Sequence, residues 1–202
     1  MGLHSEASFA SVWPDIVWFY CNKPSKKGGE TTLCDGIQLW KILPAKLKLY
    51  FLKQPLKYSI EIQLPDIRKH KRKGKQDWIT NTHGISGYVD FDENKVYLEV
   101  LRYAINKIEN LDSYAFTNHL IADNYNEPQI KNISMASGEV IPDEYITLIR
   151  EKSFEIIYEH SWEKNDLLMI DNKRFMHGRR EFPKNCERDI LTIQTEKSAF
   201  KG

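Results

Sequence analysis

The sequence of 202 residues contains few cysteines, and they form none of the usual cysteine patterns. Cys21, Cys34 and Cys186 are widely spaced, odd in number and include no C-x-x-C pair. Neither a disulfide framework nor a zinc knuckle is therefore indicated. A reducing, cytoplasmic location is expected from this cysteine usage.

An excess of charge and a long apolar run are absent as well. Lysine and arginine number 29 against 28 aspartate and glutamate residues, a formal net charge of +1. This balance gives no reason to expect nucleic acid or an anionic membrane as a partner. No apolar run approaches the roughly 18 residues of a membrane span, and the first residues lack a signal-peptide pattern. We expect a soluble protein that binds neither nucleic acid nor membrane.

The chain also lacks internal repeats and low-complexity linkers, so residues 1–202 are expected to form a single domain. Short strands dominate the pattern, and a hairpin is expected near Asp92–Asn94. Helices are expected around Pro44 and after Pro142. Many short strands with few helices indicate a mainly β fold, either a sandwich or a double-sheet jelly roll. The strand candidates are 15–24, 155–160, 166–171 and 189–195.

The stretch LHSEASF, residues 3–9, contains a histidine and a glutamate two positions apart. In an extended segment, residues i and i+2 point to the same side, so His4 and Glu6 can face one point. Such a pair alone lies more often on an ordinary solvated surface. A second histidine, His177, follows the apolar strand of DLLMIDNKRFMHGRREF. Two histidines and one carboxylate form the facial triad of non-haem iron(II) oxygenases.

Four stretches of the chain together resemble a known family. They are HSEASF with the later WP, FYCNKPSKKGGETTLCD, FTNHLIAD, and WEKNDLLMIDNKRFMHGRREF with the arginine after it. In this order they resemble the TauD/TfdA family of iron(II)/2-oxoglutarate dioxygenases, in its clavaminate-synthase-like and SyrP-like branch, which carries HxE. The resemblance spans residues 3–195, although residues 50–110 show no clear match. It implies a double-stranded β-helix, or jelly roll, with a few flanking helices.

The resemblance implies a role for particular residues of this chain. His4, Glu6 and His177 would be the catalytic iron(II) ligands. Arg188, eleven residues beyond His177, and Thr31 of GGET would bind the distal carboxylate of the cosubstrate 2-oxoglutarate, with Arg179 or Arg180 as the alternative to Arg188. A guanidinium fork suits a carboxylate, and a threonine hydroxyl can donate a further hydrogen bond. Taken alone, an arginine among charged neighbours is more often a surface residue, and GGET is more often only a turn.

Three further positions are implied to support or restrict the site. Asp171 and Asn172 fall where the family carries a DN pair, and they are expected to hold the histidine loop. Thr192 stands where taurine dioxygenase has its sulfonate-binding arginine, which counts against taurine as the substrate.

The implied activity is hydroxylation of an unactivated C–H bond, with 2-oxoglutarate and dioxygen as cosubstrates. The expected substrate is a small molecule, either a free or a carrier-tethered amino acid in natural-product biosynthesis. Halogenation is disfavoured because iron halogenases of this class lack the carboxylate ligand that Glu6 supplies here.

Some features leave alternatives open. His119 in FTNHL matches a family position without an assigned role, and a core or rim histidine is favoured over a ligand. The basic run RKHKRKGK, residues 68–75, is interpreted as a solvated loop, with an acidic carrier protein as the alternative.

The position of the HxE pair raises a further alternative. Family members usually carry several tens of residues before this pair, whereas His4 is the fourth residue here. An early strand is therefore expected to be missing, and a partner chain or a second copy of this chain would cover the exposed sheet edge. The second hypothesis for function is a truncated, inactive jelly-roll scaffold that acts in a complex.

Overall fold

A computed structural model describes the chain at residues 1–10, 12–65, 73–82, 84–122 and 127–196. Most of the basic run, residues 68–72, lies outside these described residues, so its interpretation stays a prediction.

The described residues form thirteen strands and three α-helices, so the predicted mainly β class is confirmed. In chain order they are β1 (Ile16–Lys23), β2 (Thr31–Asp35), α1 (Gly36–Ile42), α2 (Ala45–Lys53), β3 (Leu56–Gln63), β4 (Lys75–Thr82), β5 (Ile85–Asp90), β6 (Lys95–Arg102), β7 (Ile105–Ile108), β8 (Ser113–Phe116), β9 (Ile130–Met135), α3 (Asp143–Phe154), β10 (Tyr158–His160), β11 (Leu167–Asp171), β12 (Phe175–Arg179) and β13 (Asp189–Thr195).

Local sequence signals explain several of these bounds. Pro44 separates α1 from α2, because proline supplies no N–H to an α1 hydrogen bond and suits a helix start. Asp35 caps α1 by accepting the Ile37 N–H at 2.9 Å. Asp143 and Glu144 occupy the first turn of α3, where the helix dipole favours negative charge.

The strands combine into antiparallel sheets whose order differs from the chain order. Strand β1 lies between β11 and β13, and β2 lies between β10 and β12. The unmatched middle of the chain contributes most of a five-stranded sheet of order β4-β5-β6-β3-β9. Sheets whose neighbouring strands are distant in sequence are typical of a jelly roll, and that fold prediction is confirmed.

Alternate side chains of β1 point inward, and they pack the β11-β1-β13 sheet against the β10-β2-β12 sheet. Val17 and Phe19 are buried, whereas Tyr20 is 36% exposed on the outer face. With Ile170 they form a small core that contacts Leu33 of β2. The β1 side chains therefore cover the face of β2 that carries Leu33.

A larger core lies on the other side of β2 and β12. Cys34 and Met176 from these strands join Leu39 of α1, Phe51 of α2 and Tyr58 of β3 in one buried cluster. Burial of each large apolar side chain contributes roughly 1.5–3 kcal/mol. Strands β2 and β12 are therefore packed on both faces, which gives the residues on them fixed positions.

No helix among the described residues is long and apolar enough to cross a membrane.

Candidate active site

Two histidines that are distant in sequence lie side by side in the fold. His177 is the central residue of β12, opposite Leu33 of β2. On its other side, the His177 N–H donates to the His4 carbonyl at 2.8 Å, and the His4 N–H donates to the His177 carbonyl at 2.9 Å. This bridge fixes the two imidazoles next to each other, with ring centroids 4.5 Å apart.

The Glu6 carboxylate faces the same point as both imidazoles. Its Oε2 lies 3.7 Å from His4 Nε2 and 3.5 Å from His177 Nε2. One donor atom from each of the three residues lies within 4.8 Å of the others. These separations exceed ordinary hydrogen-bond lengths, so the donors converge without consuming each other's lone pairs. Such a donor set fits a metal ion.

The turn that presents Glu6 is held by Asn172, which follows β11. The Asn172 Oδ1 accepts the Glu6 N–H at 2.8 Å, and Nδ2 donates to the carbonyls of Glu6 and Pro14, both at 2.9 Å. The Ser5 hydroxyl donates to the Asn172 carbonyl at 2.7 Å. Asn172 is fully buried, so it connects the first residues of the chain to the strand that precedes His177. Its contacts agree with the expected supporting role.

The other predicted supporting residue, Asp171, acts on the turn before β12. Its carboxylate accepts the Lys173 N–H at 3.0 Å, and its carbonyl accepts the Arg174 N–H at 3.1 Å. These contacts define the turn between β11 and β12. Asp171 therefore acts on the backbone that leads to His177.

Hydrogen bonding and burial set the protonation of the donor atoms. His4 Nδ1 lies 3.0 Å from the Gly2 carbonyl, which can only accept, so Nδ1 is the donor to Gly2 and Nε2 is the nitrogen that faces Glu6. Burial lowers the pKa of His177 to about 4, which keeps its imidazole neutral near pH 7. The imidazoles of His177 and His4 lower the pKa of Glu6 well below its usual range. Neutral imidazoles and an ionised carboxylate are the forms that bind a metal.

His119 lies beside this donor set without joining it. Its ring packs edge-on against His4 at 5.1 Å and against Phe9 at 5.0 Å, and it is 4% exposed. Burial lowers its pKa to about 3. Its backbone N–H donates to the Tyr58 hydroxyl at 3.2 Å. The structure therefore places His119 as a packing residue that supports the His4 ring.

Thr31 and Arg188 line the same cavity as the three donor residues, with a volume of about 170 Å³. Trp162 Nε1 donates to the Thr31 hydroxyl oxygen at 3.0 Å, so the hydroxyl hydrogen is left to donate elsewhere. Arg188 Nε donates to the Gly29 carbonyl at 2.9 Å. The structure thus brings all five predicted site residues to one cavity.

The two glycines of GGET allow the backbone of residues 28–29 to pass close to Glu181 and Arg188. Gly28 and Gly29 adopt positive φ values of 66° and 80°. A Cβ on Gly28 would lie 2.3 Å from the Glu181 carbonyl, and one on Gly29 would lie 3.0 Å from Arg188 Cδ. Only glycine combines this backbone conformation with such close contacts.

The Arg188 guanidinium is partly buried, and no carboxylate in the described part of the chain lies within 4 Å of it. Burial lowers its pKa, and the nearby Arg179 lowers it further. A buried cation without a counter-ion is costly, and a bound carboxylate would offset that cost.

Sequence reasoning did not identify the apolar wall of the cavity, and it named Arg179 only together with Arg180 as an alternative to Arg188. Phe19 of β1 and Ile190 of β13 line the cavity on the side of the β11-β1-β13 sheet. The sequence signal that could have identified this wall is the alternation of side chains along β1 and β13. Once the strands are known, alternate residues are expected to point inward.

Comparison with known proteins agrees with this geometry. Residues 1–194 match the family model described as taurine catabolism dioxygenase TauD, TfdA family. The chain belongs to the TauD/TfdA family. The family expected from the sequence motifs is therefore confirmed.

Curated relatives of this TauD/TfdA chain are distant. The dapdiamide synthesis protein DdaC of Enterobacter agglomerans is 21% identical over 207 residues, covering 89% of this chain and 61% of the relative. The 3-((Z)-2-isocyanoethenyl)-1H-indole synthase of Fischerella ambigua (strain UTEX 1903) is 21% identical over 200 residues, covering 94% of this chain and 61% of the relative. The chain thus spans about 61% of the length of these relatives.

Solved structures share the fold. The crystal structure of AAD-2 in complex with Mn(II) and N-oxalylglycine matches with a TM-score of 0.61 and 18% identity, covering 96% of this chain and 67% of that one. A likeness at this identity establishes the common fold of the TauD/TfdA chain.

Proposed function

We propose that the protein is a non-haem iron(II)- and 2-oxoglutarate-dependent dioxygenase. The observation that carries this proposal is the convergence of His4, Glu6 and His177 in one largely buried donor set. Two imidazoles and one carboxylate suit iron(II) and leave coordination positions for a chelating cosubstrate and dioxygen. Membership of the TauD/TfdA family supports the same assignment.

The cosubstrate site is proposed at Thr31 and Arg188. The Arg188 guanidinium can form charge-assisted hydrogen bonds to the distal carboxylate, while the Thr31 hydroxyl donates a further one. The contact with Gly29 and the contact with Trp162 hold the two groups in place before the ligand arrives. Such fixed positions lower the entropic cost of binding.

The chemistry supplied by bound iron and 2-oxoglutarate with dioxygen is oxidation of a C–H bond, coupled to formation of succinate and carbon dioxide. The chain itself provides position and exclusion of water. His4 keeps its proton on Nδ1 through Gly2, and Asn172 holds the backbone of Glu6. Phe19 and Ile190 give the cavity an apolar wall against solvent.

We propose an amino acid, free or tethered to a carrier, as the substrate class in a natural-product pathway. The names of the two curated relatives support the natural-product setting, since one belongs to dapdiamide synthesis and the other makes an isocyanoethenyl indole. Thr192 also lines the cavity, so the position expected to hold a sulfonate-binding arginine carries a neutral hydroxyl. This position argues against a taurine-like sulfonate.

Hydroxylation is the outcome that the donor set favours. Glu6 supplies a carboxylate at the position that halogenases of this class keep open for halide. A donor set of only three ligands that opens onto a cavity also favours an enzyme over the scaffold hypothesis, because structural metal sites are usually closed.

The first experiment adds iron(II) and then 2-oxoglutarate to the protein under anaerobic conditions. We expect the weak visible charge-transfer band of an iron–2-oxoglutarate chelate in the wild type and in Glu163→Gln, whose exposed side chain lies outside the donor set. His177→Ala should lose both the band and iron-dependent 2-oxoglutarate decarboxylation while remaining folded. A band of equal strength in His177→Ala would refute the ligand assignment, and no band in the wild type would favour the scaffold hypothesis.

A further inference from the structure

Arg179 lies near both the proposed metal ligand His177 and the proposed cosubstrate residue Thr31. It lies two residues beyond His177 on β12 and directly opposite Thr31 on β2. Residues two apart on a strand share a face, and cross-strand partners share that face too. The structure agrees, because Arg179 lines the same cavity of about 170 Å³ as His177, Thr31 and Arg188.

The guanidinium groups of Arg179 and Arg188 converge on one aromatic ring. The Cζ atom of Arg179 lies 5.2 Å from the centroid of the Phe182 ring, and that of Arg188 lies 5.8 Å from it. Both guanidinium groups thus pack against Phe182, and both residues line the same cavity. The lowered pKa of Arg188, caused first by burial and next by Arg179, agrees with this proximity.

Neighbouring arginines have counter-ions that this pair lacks. Arg174 forms an ion pair with Asp35 at 2.6 Å, and Arg180 pairs with Glu159. In contrast, no carboxylate within the described ranges lies within 4 Å of the Arg179 or Arg188 guanidinium. Adjacent, partly buried cations repel one another unless an anion is placed between them.

We propose that Arg179 and Arg188 form a two-guanidinium clamp for the distal carboxylate of 2-oxoglutarate, with the Thr31 hydroxyl as a third donor. The clamp rests on the proposed function, and it makes Arg179 a partner of Arg188 rather than the alternative to it that the sequence offered. The cross-strand pairing of Arg179 with Thr31 places its side chain at the carboxylate end of the cavity rather than at the metal end. A planar, two-pronged donor suits a carboxylate from either side.

The test compares two 2-oxo acids of the same chain length on the metal-loaded protein under anaerobic conditions. Dissociation constants are measured calorimetrically for 2-oxoglutarate and for 2-oxopentanoate, which lacks the distal carboxylate. Arg179→Ala should bind 2-oxoglutarate about tenfold or more weakly than the wild type. Its affinity for 2-oxopentanoate should stay unchanged, since that ligand offers nothing for the clamp to hold.

Two further variants complete the test. Arg180→Ala is the matched control, because its guanidinium is paired with Glu159, and both of its affinities should equal those of the wild type. Arg179→Gln retains a long stem against Phe182 but lacks the charge, and it should weaken 2-oxoglutarate binding alone even if Arg179→Ala folds poorly.

The possible results separate the clamp from the enzyme assignment. Unchanged 2-oxoglutarate affinity in both Arg179 variants would overturn the clamp and leave Arg179 to the neighbouring cavity of about 680 Å³, which it also lines. An equal loss for both 2-oxo acids would overturn it too, because that pattern indicates a structural role. Failure of the metal-loaded wild type to bind either acid would instead refute the proposed function itself.

Discussion

The two ends of the candidate site are held in different ways. At the metal end, His4, Glu6 and His177 are fixed by backbone bridges and by the buried amide of Asn172. At the carboxylate end, Arg188 and Arg179 are partly buried and lie within 4 Å of no carboxylate in the part of the chain that the structure describes. The donor residues of the metal end are therefore held in place by hydrogen bonds within the chain, whereas the carboxylate end requires an anion to balance its charge.

This difference separates stability from binding. Residues that fix the metal end also connect the first residues of the chain to β11 and β12, so changes there affect folding. Residues at the carboxylate end face a cavity, so changes there should affect affinity with little effect on the fold. Five substitutions or conditions test this division, from the largest expected effect to the smallest.

Glu6→Gln should cause the largest loss. It removes the anionic donor, and we expect metal affinity to fall by more than about 100-fold, measured by Co(II) titration. The fold should persist, because Asn172 holds the backbone of Glu6 rather than its side chain. Glu163→Gln, at an exposed position, is the control. Wild-type metal affinity in Glu6→Gln would remove this residue from the donor set.

Asn172→Ala should destabilise the whole domain. The substitution leaves the partly buried N–H and carbonyl of Glu6 and the buried carbonyl of Pro14 without their partner, which costs about 3 kcal/mol in the free energy of unfolding. Urea denaturation measures this loss, with the exposed Asn132→Ala as control. A change below about 0.5 kcal/mol, the range of ordinary surface substitutions, would show that Asn172 does not support the turn.

Arg188→Ala should weaken 2-oxoglutarate binding by a free energy on the order of 2 kcal/mol, because a charge-assisted clamp is lost. Metal affinity and the free energy of unfolding should stay near wild-type values. The exposed Lys184→Ala controls for the loss of one positive charge. If the 2-oxoglutarate requirement does not change, the cosubstrate carboxylate is bound by another group.

Acid should weaken the metal-free protein through its metal end. The pKa values of His177 and of the neighbouring His119 are about 4 and about 3 in the fold against an ordinary value of 6.5, so the unfolded chain binds more protons as the pH falls below 6.5. Stability is therefore full above about pH 6.5 and declines as the pH falls toward 4, and each histidine contributes a loss on the order of 2 kcal/mol at pH 5. Urea denaturation at pH 7 and pH 5 measures the decline. Arg188→Ala should show the same decline in the free energy of unfolding. A smaller decline in this variant would show that the carboxylate end affects the protonation of the metal end.

Trp162→Phe should have the smallest effect. It removes the donor that orients the Thr31 hydroxyl while keeping an aromatic ring near Phe19. We expect a loss of about 1 kcal/mol in 2-oxoglutarate affinity, as for one neutral hydrogen bond. Calorimetric titration checks this value, and Trp40→Phe, away from the cavity, serves as control. A loss as large as that of Arg188→Ala would give Trp162 a direct role in binding.

Local sequence signals predicted part of the fold. The strand expected at 189–195 coincides with β13, and the break at Pro44 separates two helices as expected. Strands β2 and β12 were not predicted, because TTLCD follows a glycine-rich turn and FMHGR is short and interrupted by glycine. Both become strands through pairing with each other, a contact across about 140 residues that no local propensity encodes.

The sequence by itself determined the family, the mainly β class and the residues expected at the site. Motifs carry these because few residue types supply ligands for a metal ion or donors for a carboxylate, and their spacing is visible in the sequence. Tertiary structure alone decided the rest. The His4 bridge to His177 and the pairing of Arg179 with Thr31 depend on strand register, and so does the way Asn172 holds the Glu6 turn. A shift of one residue turns every side chain of a strand to the other face, so register decides which arginine of the HGRR segment faces the cavity.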